Sequence, residues 1–273
     1  VELFLGTGGF SNDDWVGIFY PPELKKNEWL AFYAQAFNAV EVNSTFYAVP
    51  AQKTFTSMLE RSEGRLMFCV KLHRSFTHDL GKPDMADAAA ASRFLFTVDP
   101  VHQAGKMGPL LAQFPYSFKN TPESRAHLSN LAEWFNAGRD GVQIAVEFRH
   151  QSWDRGPVYQ YLADLGLHAV SVDLPRLEGL PESTVRASSL IYARMHGRNA
   201  ANWFDGKDAA ERHDYLYTVA ELEPWVHAIR RAGAPKAFVF FQNTTRGQGL
   251  QNAREFQALW NAQTQGSPGK NLS

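Results

Sequence analysis

Cysteine is almost absent, with Cys69 alone in a chain of 273 residues. No disulfide can form within the chain, and a cysteine-based zinc site is excluded. A reducing, cytoplasmic setting is expected. Cys69 sits in the apolar run Met67-Phe68-Cys69-Val70 and reads as a small core residue. Long apolar runs are missing as well. None approaches the roughly 18–20 residues a membrane span needs, so no membrane partner is expected. The chain opens at Val1 and enters a strand at once, so no signal peptide is expected. Neither sign of charge is in excess, the formal net charge being −1. Wholesale binding to nucleic acid or a membrane surface is disfavoured, while a local basic patch stays open. Several motifs are also lacking. There is no Walker-type phosphate loop, Gly6-Thr7-Gly8-Gly9 lacks the dinucleotide pattern, and no serine sits in a Gly-x-Ser-x-Gly elbow. No tight metal motif such as His-x-His or His-Glu-x-x-His occurs, and no cofactor or metal is expected.

What is present is alternation. The composition is 44% hydrophobic, ample for a buried core. Strand-like runs are expected at Glu2–Leu5, Ala39–Val42, Leu66–Leu72, Gly108–Gln113, Val142–Phe148, His168–Asp173, Leu190–Met195 and Ala237–Phe241. Between them lie helical stretches: Asn27–Phe37 with Asn27 as cap, Ala51–Arg61, and the alanine-rich Met85–Val98. Others start at Pro122 with Thr121 as cap, and run over Val158–Leu165, Ala209–Arg231 and Gly249–Asn261. The segment Leu174–Ser189 holds two prolines and no helical period. An α/β fold is expected, a TIM-type (β/α)8 barrel with an irregular unit after the sixth strand. It should form one domain over residues 1–264, followed by a frayed tail at 265–273.

Polar residues recur at the ends of these runs. Glu41/Asn43, Lys71/His73, Glu147/Arg149 and Arg194/His196/Arg198 are each spaced by two, and Gln113, Asp173 and Asn243 close their own strands. Side chains two apart share a face of a strand. The intervening Val42, Leu72, Phe148 and Met195 are apolar, as positions under helices should be. The polar members should therefore point inward at the C-terminal mouth, where barrel enzymes build their sites. The bland alternative is a set of ion pairs closing the barrel, for example Glu147 with Arg149 or Arg194. Lys71, His73, Arg74 and His78, with Arg149, Arg194 and Arg198, form a local positive cluster. Clustered guanidinium groups suit phosphate or carboxylate. Glu147, Asp173 and His196 could alternatively hold a divalent cation. Trp15, Tyr20, Phe46, Tyr47, Tyr116, Trp153, Trp203 and Phe204 could line a pocket or simply pack under loops.

These residues also resemble a known family. Gly6-Thr7-Gly8-Gly9-Phe10, Glu41-Val42-Asn43-Ser44-Thr45-Phe46-Tyr47, Lys71-x-x-Arg74-x-x-Thr77-His78, Gln113-Phe114-Pro115, Glu147-Phe148-Arg149-His150-x-Ser152-Trp153, His196-Gly197-Arg198 and Phe241-Gln242-Asn243 follow one another in order. They are similar to the domain-of-unknown-function family numbered seventy-two, the YecE-like proteins. The resemblance spans nearly the whole chain and implies a TIM-type barrel without an established reaction. The chain departs from the pattern at Gly8 and Phe10, where serine and tryptophan are expected, and at Gln242, where asparagine is expected.

The reading that follows is an enzyme acting on a small anionic substrate. Lys71, Arg149 and Arg194 would hold the anion, Glu147 or Glu41 would act as acid or base, and His73 or His196 as partner. The Trp15 loop would close over the mouth. Hydrolysis, isomerisation and elimination all fit. A non-catalytic nucleotide or nucleic-acid binding module and a metal-dependent barrel enzyme are the alternatives.

Overall fold

The computed structural model describes residues 1–82, 85–137 and 141–265. Strands and helices alternate along the chain: β1 (Glu2–Thr7), α1 (Trp29–Ala36), β2 (Ala39–Val42), α2 (Gln52–Arg61), β3 (Met67–Lys71), α3 (Ala88–Gln103), β4 (Met107–Gln113), α4 (Pro122–Trp134) and β5 (Ile144–Glu147). Then come α5 (Gly156–Asp164), β6 (Leu167–Ala169), β7 (Ser171–Asp173), β8 (Leu190–Met195), α6 (Ala209–Arg212), α7 (Val219–Ala232), β9 (Lys236–Phe241) and α8 (Gln248–Gln265). All paired strands run parallel. This is the expected TIM-type α/β barrel, with its ladder divided between two sheets, β2-β3-β4-β5-β6 and β7-β8-β9-β1.

Each seam between the sheets has a local cause. At one, the expected sixth strand is broken at Val170. Leu167–Ala169 pairs with β5, and Ser171–Asp173 pairs with β8. A single segment thus serves one sheet and then the other. At the other seam, β1 and β2 touch through the backbone bridge of Gly8 with Glu41. Below it, side chains take over the β1 edge. Leu5 N–H donates to Asn38 Oδ1 (2.7 Å), Asn38 Nδ2 donates to Leu3 C=O (2.8 Å), and Thr7 N–H donates to Tyr33 OH (2.8 Å). Buried backbone donors need partners, and here Asn38 and Tyr33 supply them.

The period-two pattern sorts the strands onto two faces. Val40, Val42, Val70, Leu72, Val146, Met195, Val239 and Phe241 pack outward under the helices. Phe4, Ala39, Cys69, Leu111, Ala145, Tyr192, Phe238 and Phe240 fill the interior as a separate cluster. Cys69 is fully buried there, as a core residue should be. Gly108 makes room for it, since a Cβ there would stand 2.5 Å from Cys69 Sγ.

Several helix boundaries differ from expectation. Asn27 does not cap α1; it lies inside a short 3-10 turn, Lys26–Glu28, that precedes the helix. The helix expected from Met85 begins at Ala88, where Asp87 accepts a hydrogen bond from Ala90 N–H. The helix expected over Ala209–Arg231 is two helices. The break at 213–218 buries Tyr217, whose OH accepts from Gly197 N–H (2.8 Å), and Thr218 with Glu221 restarts the coil through a reciprocal capping box. Thr121 caps α4 as expected. No helix follows β7. Instead Arg186 ties that irregular segment to Asp154 (2.8 Å) and Tyr159 (2.7 Å). The frayed tail expected from 265 lies, beyond Gln265, outside the described residues. No helix among the described residues is long and apolar enough to cross a membrane.

Candidate active site at the barrel mouth

One inward position further along each strand, the interior turns polar. Above Ala39, Cys69, Leu111, Ala145, Tyr192 and Phe240 stand Glu41, Lys71, Gln113, Glu147, Arg194 and Gln242. At the centre is Arg194. Its Nε and Nη2 grip Glu41 in a fork (3.0 and 2.8 Å), and its Nη1 meets Glu147 Oε2 at 2.5 Å. Nη2 also donates to Gln242 Oε1 (2.9 Å). Glu41 receives three further donors: Tyr192 OH (2.7 Å), Asn43 Nδ2 (3.1 Å) and Gln242 Nε2 (3.1 Å). Glu41, Glu147 and Arg194 are buried, so every charge here must be matched. Burial works against the Arg194 charge, but Glu147 and Glu41 more than offset it and raise its pKa.

Glu147 links this floor to the rim. Arg149 Nε lies 2.5 Å from its Oε1, an ion pair whose N–H is not aligned along the contact. His196 Nε2 lies 3.1 Å from the same oxygen. Burial would push the Glu147 carboxyl up, yet Arg149, Arg194 and His196 hold it well below its ordinary value. An ionised carboxylate only accepts, so this hydrogen bonding assigns the hydrogen to His196 Nε2. Nδ1 is then a buried lone pair, and it has no hydrogen-bond partner. Burial and the neighbouring Arg149 keep the ring neutral, its pKa well below the usual imidazole value. His213 packs beside it at 5.3 Å between ring centres.

Lys71 differs from Arg194. Its Nζ donates to Gln113 Oε1 (2.8 Å) and lies 4.2 Å from the centre of the Phe46 ring. Gln113 is held in turn, its Nε2 donating to Phe114 C=O (2.7 Å). Among the described residues no carboxylate forms an ion pair with Lys71. Burial and the nearby Arg194 and Arg149, against Glu147 and Glu41, bring its pKa down to about 7. Arg149 spans this side of the mouth, its guanidinium 5.6 Å from the Trp203 ring centre.

The remaining expected residues take other places. Asp173 and Arg198 meet in a bidentate pair (2.9 Å on both arms), which Glu221 extends. That pair leaves Asp173 apart from Glu147 and His196, and among the described residues no three His, Cys, Asp or Glu side chains gather as a metal-binding group. His73 turns back to Ser75 within its own turn (2.8 Å), and the half-exposed Arg74 pairs with the buried Asp79. His78 bonds Thr77 and sets its ring edge against Phe46 (4.8 Å). Asn243 points under α8, donating to Asn252 Oδ1 and Tyr215 C=O. Trp15, the expected lid, is buried among Phe19 and Tyr20 with its Nε1 on Thr244 C=O (2.8 Å). Trp153 stacks on Phe148 and Phe118 beneath its loop. Tyr47 is exposed. Tyr192 and Gln242 are members of the central network that the sequence reading did not assign to it. Each stands two positions from a residue of the same face, Arg194 and Phe240, and that spacing was the available signal. Beside the cluster a cleft of about 1280 Å³ opens between the β5–α5 loop and the segment after β7, with His150, Arg155, Arg176 and Arg198 among its walls.

A family model described as a protein of unknown function, DUF72, matches residues 4–272. The chain belongs to the DUF72 family. Among its relatives is the UPF0759 protein YunF of Bacillus subtilis (strain 168), 27% identical over 278 residues, covering 94% of each chain. A solved DUF72 family protein from Thermotoga maritima superposes with a TM-score of 0.86 at 34% identity, over 96% of this chain and 100% of that one. The barrel frame extends further: a D-allulose 3-epimerase from Methylomonas sp. shares it with a TM-score of 0.55 at 12% identity, over 93% of this chain and 98% of that one. At that identity the likeness concerns the fold alone.

Proposed function

We propose that this DUF72 barrel is an enzyme that moves a proton on a small polar substrate bearing an anionic group. The observation that carries the reading is Lys71, a strand-end amine at the mouth with an amide oxygen in place of a carboxylate as its partner. With a pKa brought to about 7, it is divided between base and acid at neutral pH, where proton transfer is most effective. The base role thus moves from Glu147 to Lys71. Glu147 is held ionised between two guanidinium groups, which suits a counter-ion better than a proton carrier. Arg194 is saturated by Glu41 and Glu147, so the anion of the substrate falls to Arg149, which meets Glu147 through Nε and carries its guanidinium over the Trp203 ring.

The test is solvent-deuterium exchange in a panel of sugar phosphates, hydroxy acids and keto acids, read by proton NMR. One member should lose a carbon-bound proton signal. The exchange should fall by about 10²–10⁴-fold in Lys71→Met, and its half-saturation should rise in Arg149→Met. Exchange that persists in Lys71→Met would remove the base role. A chain that exchanges nothing but binds a single-stranded oligonucleotide, with affinity falling steeply with salt, would be a binding module instead.

A further inference from the structure

We propose that Lys71 captures its substrate covalently, forming an imine with an aldehyde or ketone that carries a carboxylate or phosphate. This deepens the preceding reading and rests on the same mouth being the active site. The geometry supplies what a nucleophilic amine requires. Lys71 ends β3, and its backbone C=O accepts from Thr45 Oγ1 at 2.6 Å, so the base of the side chain is fixed. The amine leans on Gln113 Oε1, an acceptor that orients N–H groups without fixing a positive charge. Glu41 and Glu147, the carboxylates that could hold an ammonium here, are already gripped by Arg194 and Arg149. Phe46 covers the amine with an aromatic face, which attracts an iminium as it does an ammonium. A desolvated lysine beside other cations is the usual form of an activated amine nucleophile.

The step balances without a further reagent. The neutral amine donates its lone pair to the carbonyl carbon, and the π electrons of the C=O bond move to oxygen. A proton passes from nitrogen to that oxygen, giving a carbinolamine. With one proton from a solvent hydronium ion, the C–O bond breaks, oxygen leaves as water, and the nitrogen lone pair forms C=N⁺. The iminium then draws electrons from the adjacent carbon and acidifies its C–H bond; with the Lys71 lone pair committed to C=N⁺, that proton leaves to solvent water, and Lys71 serves the proton transfer as electron sink rather than as base. Arg149 is the cation placed to hold the carboxylate or phosphate meanwhile.

Pyruvate and dihydroxyacetone phosphate are suitable probe carbonyls, with sodium cyanoborohydride to trap the imine as a secondary amine. Peptide mass mapping of the trapped full chain at pH 7 should find the adduct on Lys71. Labelling there should run roughly tenfold or more faster than at the exposed Lys53. The label should disappear in Lys71→Met and slow in Arg149→Met. Absence of an adduct on Lys71 with both probes, or labelling no faster than at Lys53, would overturn the proposal. The two readings separate cleanly. Deuterium exchange that depends on Lys71 with no trapped adduct leaves the base and removes the imine. An adduct without exchange leaves the imine and removes the proton transfer.

Discussion

Arg194 and Lys71 reach into the same barrel from β8 and β3, and the protein treats them oppositely. Arg194 has two carboxylates and an amide on its guanidinium, and its charge is favoured. Lys71 has one amide oxygen and an aromatic face, and its charge is disfavoured. Both are cations at strand ends, yet one is fully paired and the other keeps an amide oxygen as its hydrogen-bond partner. Saturation of hydrogen bonds separates the two cations, because a fully paired buried charge cannot be displaced without stranding its partners.

The sharpest way to break that contrast is to truncate each cation. Arg194→Met should leave Glu41 and Glu147 buried without their counter-ion and cost about 3–5 kcal/mol, read as a lower urea midpoint. Lys71→Met should not destabilise the chain at neutral pH, since it removes a charge that the site disfavours. If both variants lose similar stability, the contrast is void. The second effect is the pH dependence that Lys71 imposes. Its unfolded form keeps the proton to about pH 10.4, whereas the folded form releases it near 7. The unfolded state therefore binds more protons between these values, and stability rises with pH across that window. The gain should be on the order of 2–4 kcal/mol after allowance for partial solvent access, and it should be missing from Lys71→Met in urea titrations from pH 7 to 10.

A smaller effect probes the Arg194 side. A Cβ at Gly8 would lie 2.2 Å from Gln242 Oε1, so the glycine and the longer amide occupy one space. The resemblance to the family pattern implies serine and asparagine at these two positions, a larger residue beside a shorter amide. Gly8→Ser should cost about 1–3 kcal/mol by overpacking. Gly8→Ser combined with Gln242→Asn should recover part of it, and additive losses in the double-mutant cycle would refute the coupling. Smallest is Phe46→Leu, which keeps the amine covered but removes the ring face. The ammonium should lose about 0.5–1 kcal/mol of attraction, moving the Lys71 titration down by roughly half a unit. NMR of the reductively methylated side chain would follow it, and an unchanged titration would discount the Phe46 contact.

Much of this is legible in the sequence. Val42, Leu72, Phe148 and Met195 do pack outward, and Glu41, Lys71, Glu147 and Arg194 do face the barrel interior. The irregular stretch after the sixth strand was equally visible from its prolines and missing period. Other features were not. His73 shares the spacing of Lys71, yet the strand ends at Lys71 and the turn beyond it carries His73 away to Ser75. Tyr192 sits inside an apolar run and Gln242 one residue past another, and the partner that gives both a place in the network, Glu41, is 151 and 201 residues distant. Trp15 and Trp153 looked like pocket walls, but each indole finds a backbone carbonyl inside the packing.

The sequence by itself determined which face each strand residue occupies and that the polar ones gather at one end, because alternation is a local property of extended backbone. Only the tertiary structure decided which cation is matched and which is left over. That depends on which strand ends stand opposite one another when the ring closes, and on the distances across it. Whether Lys71 or Arg194 meets the carboxylates is a matter of a few ångströms that no spacing along the chain records.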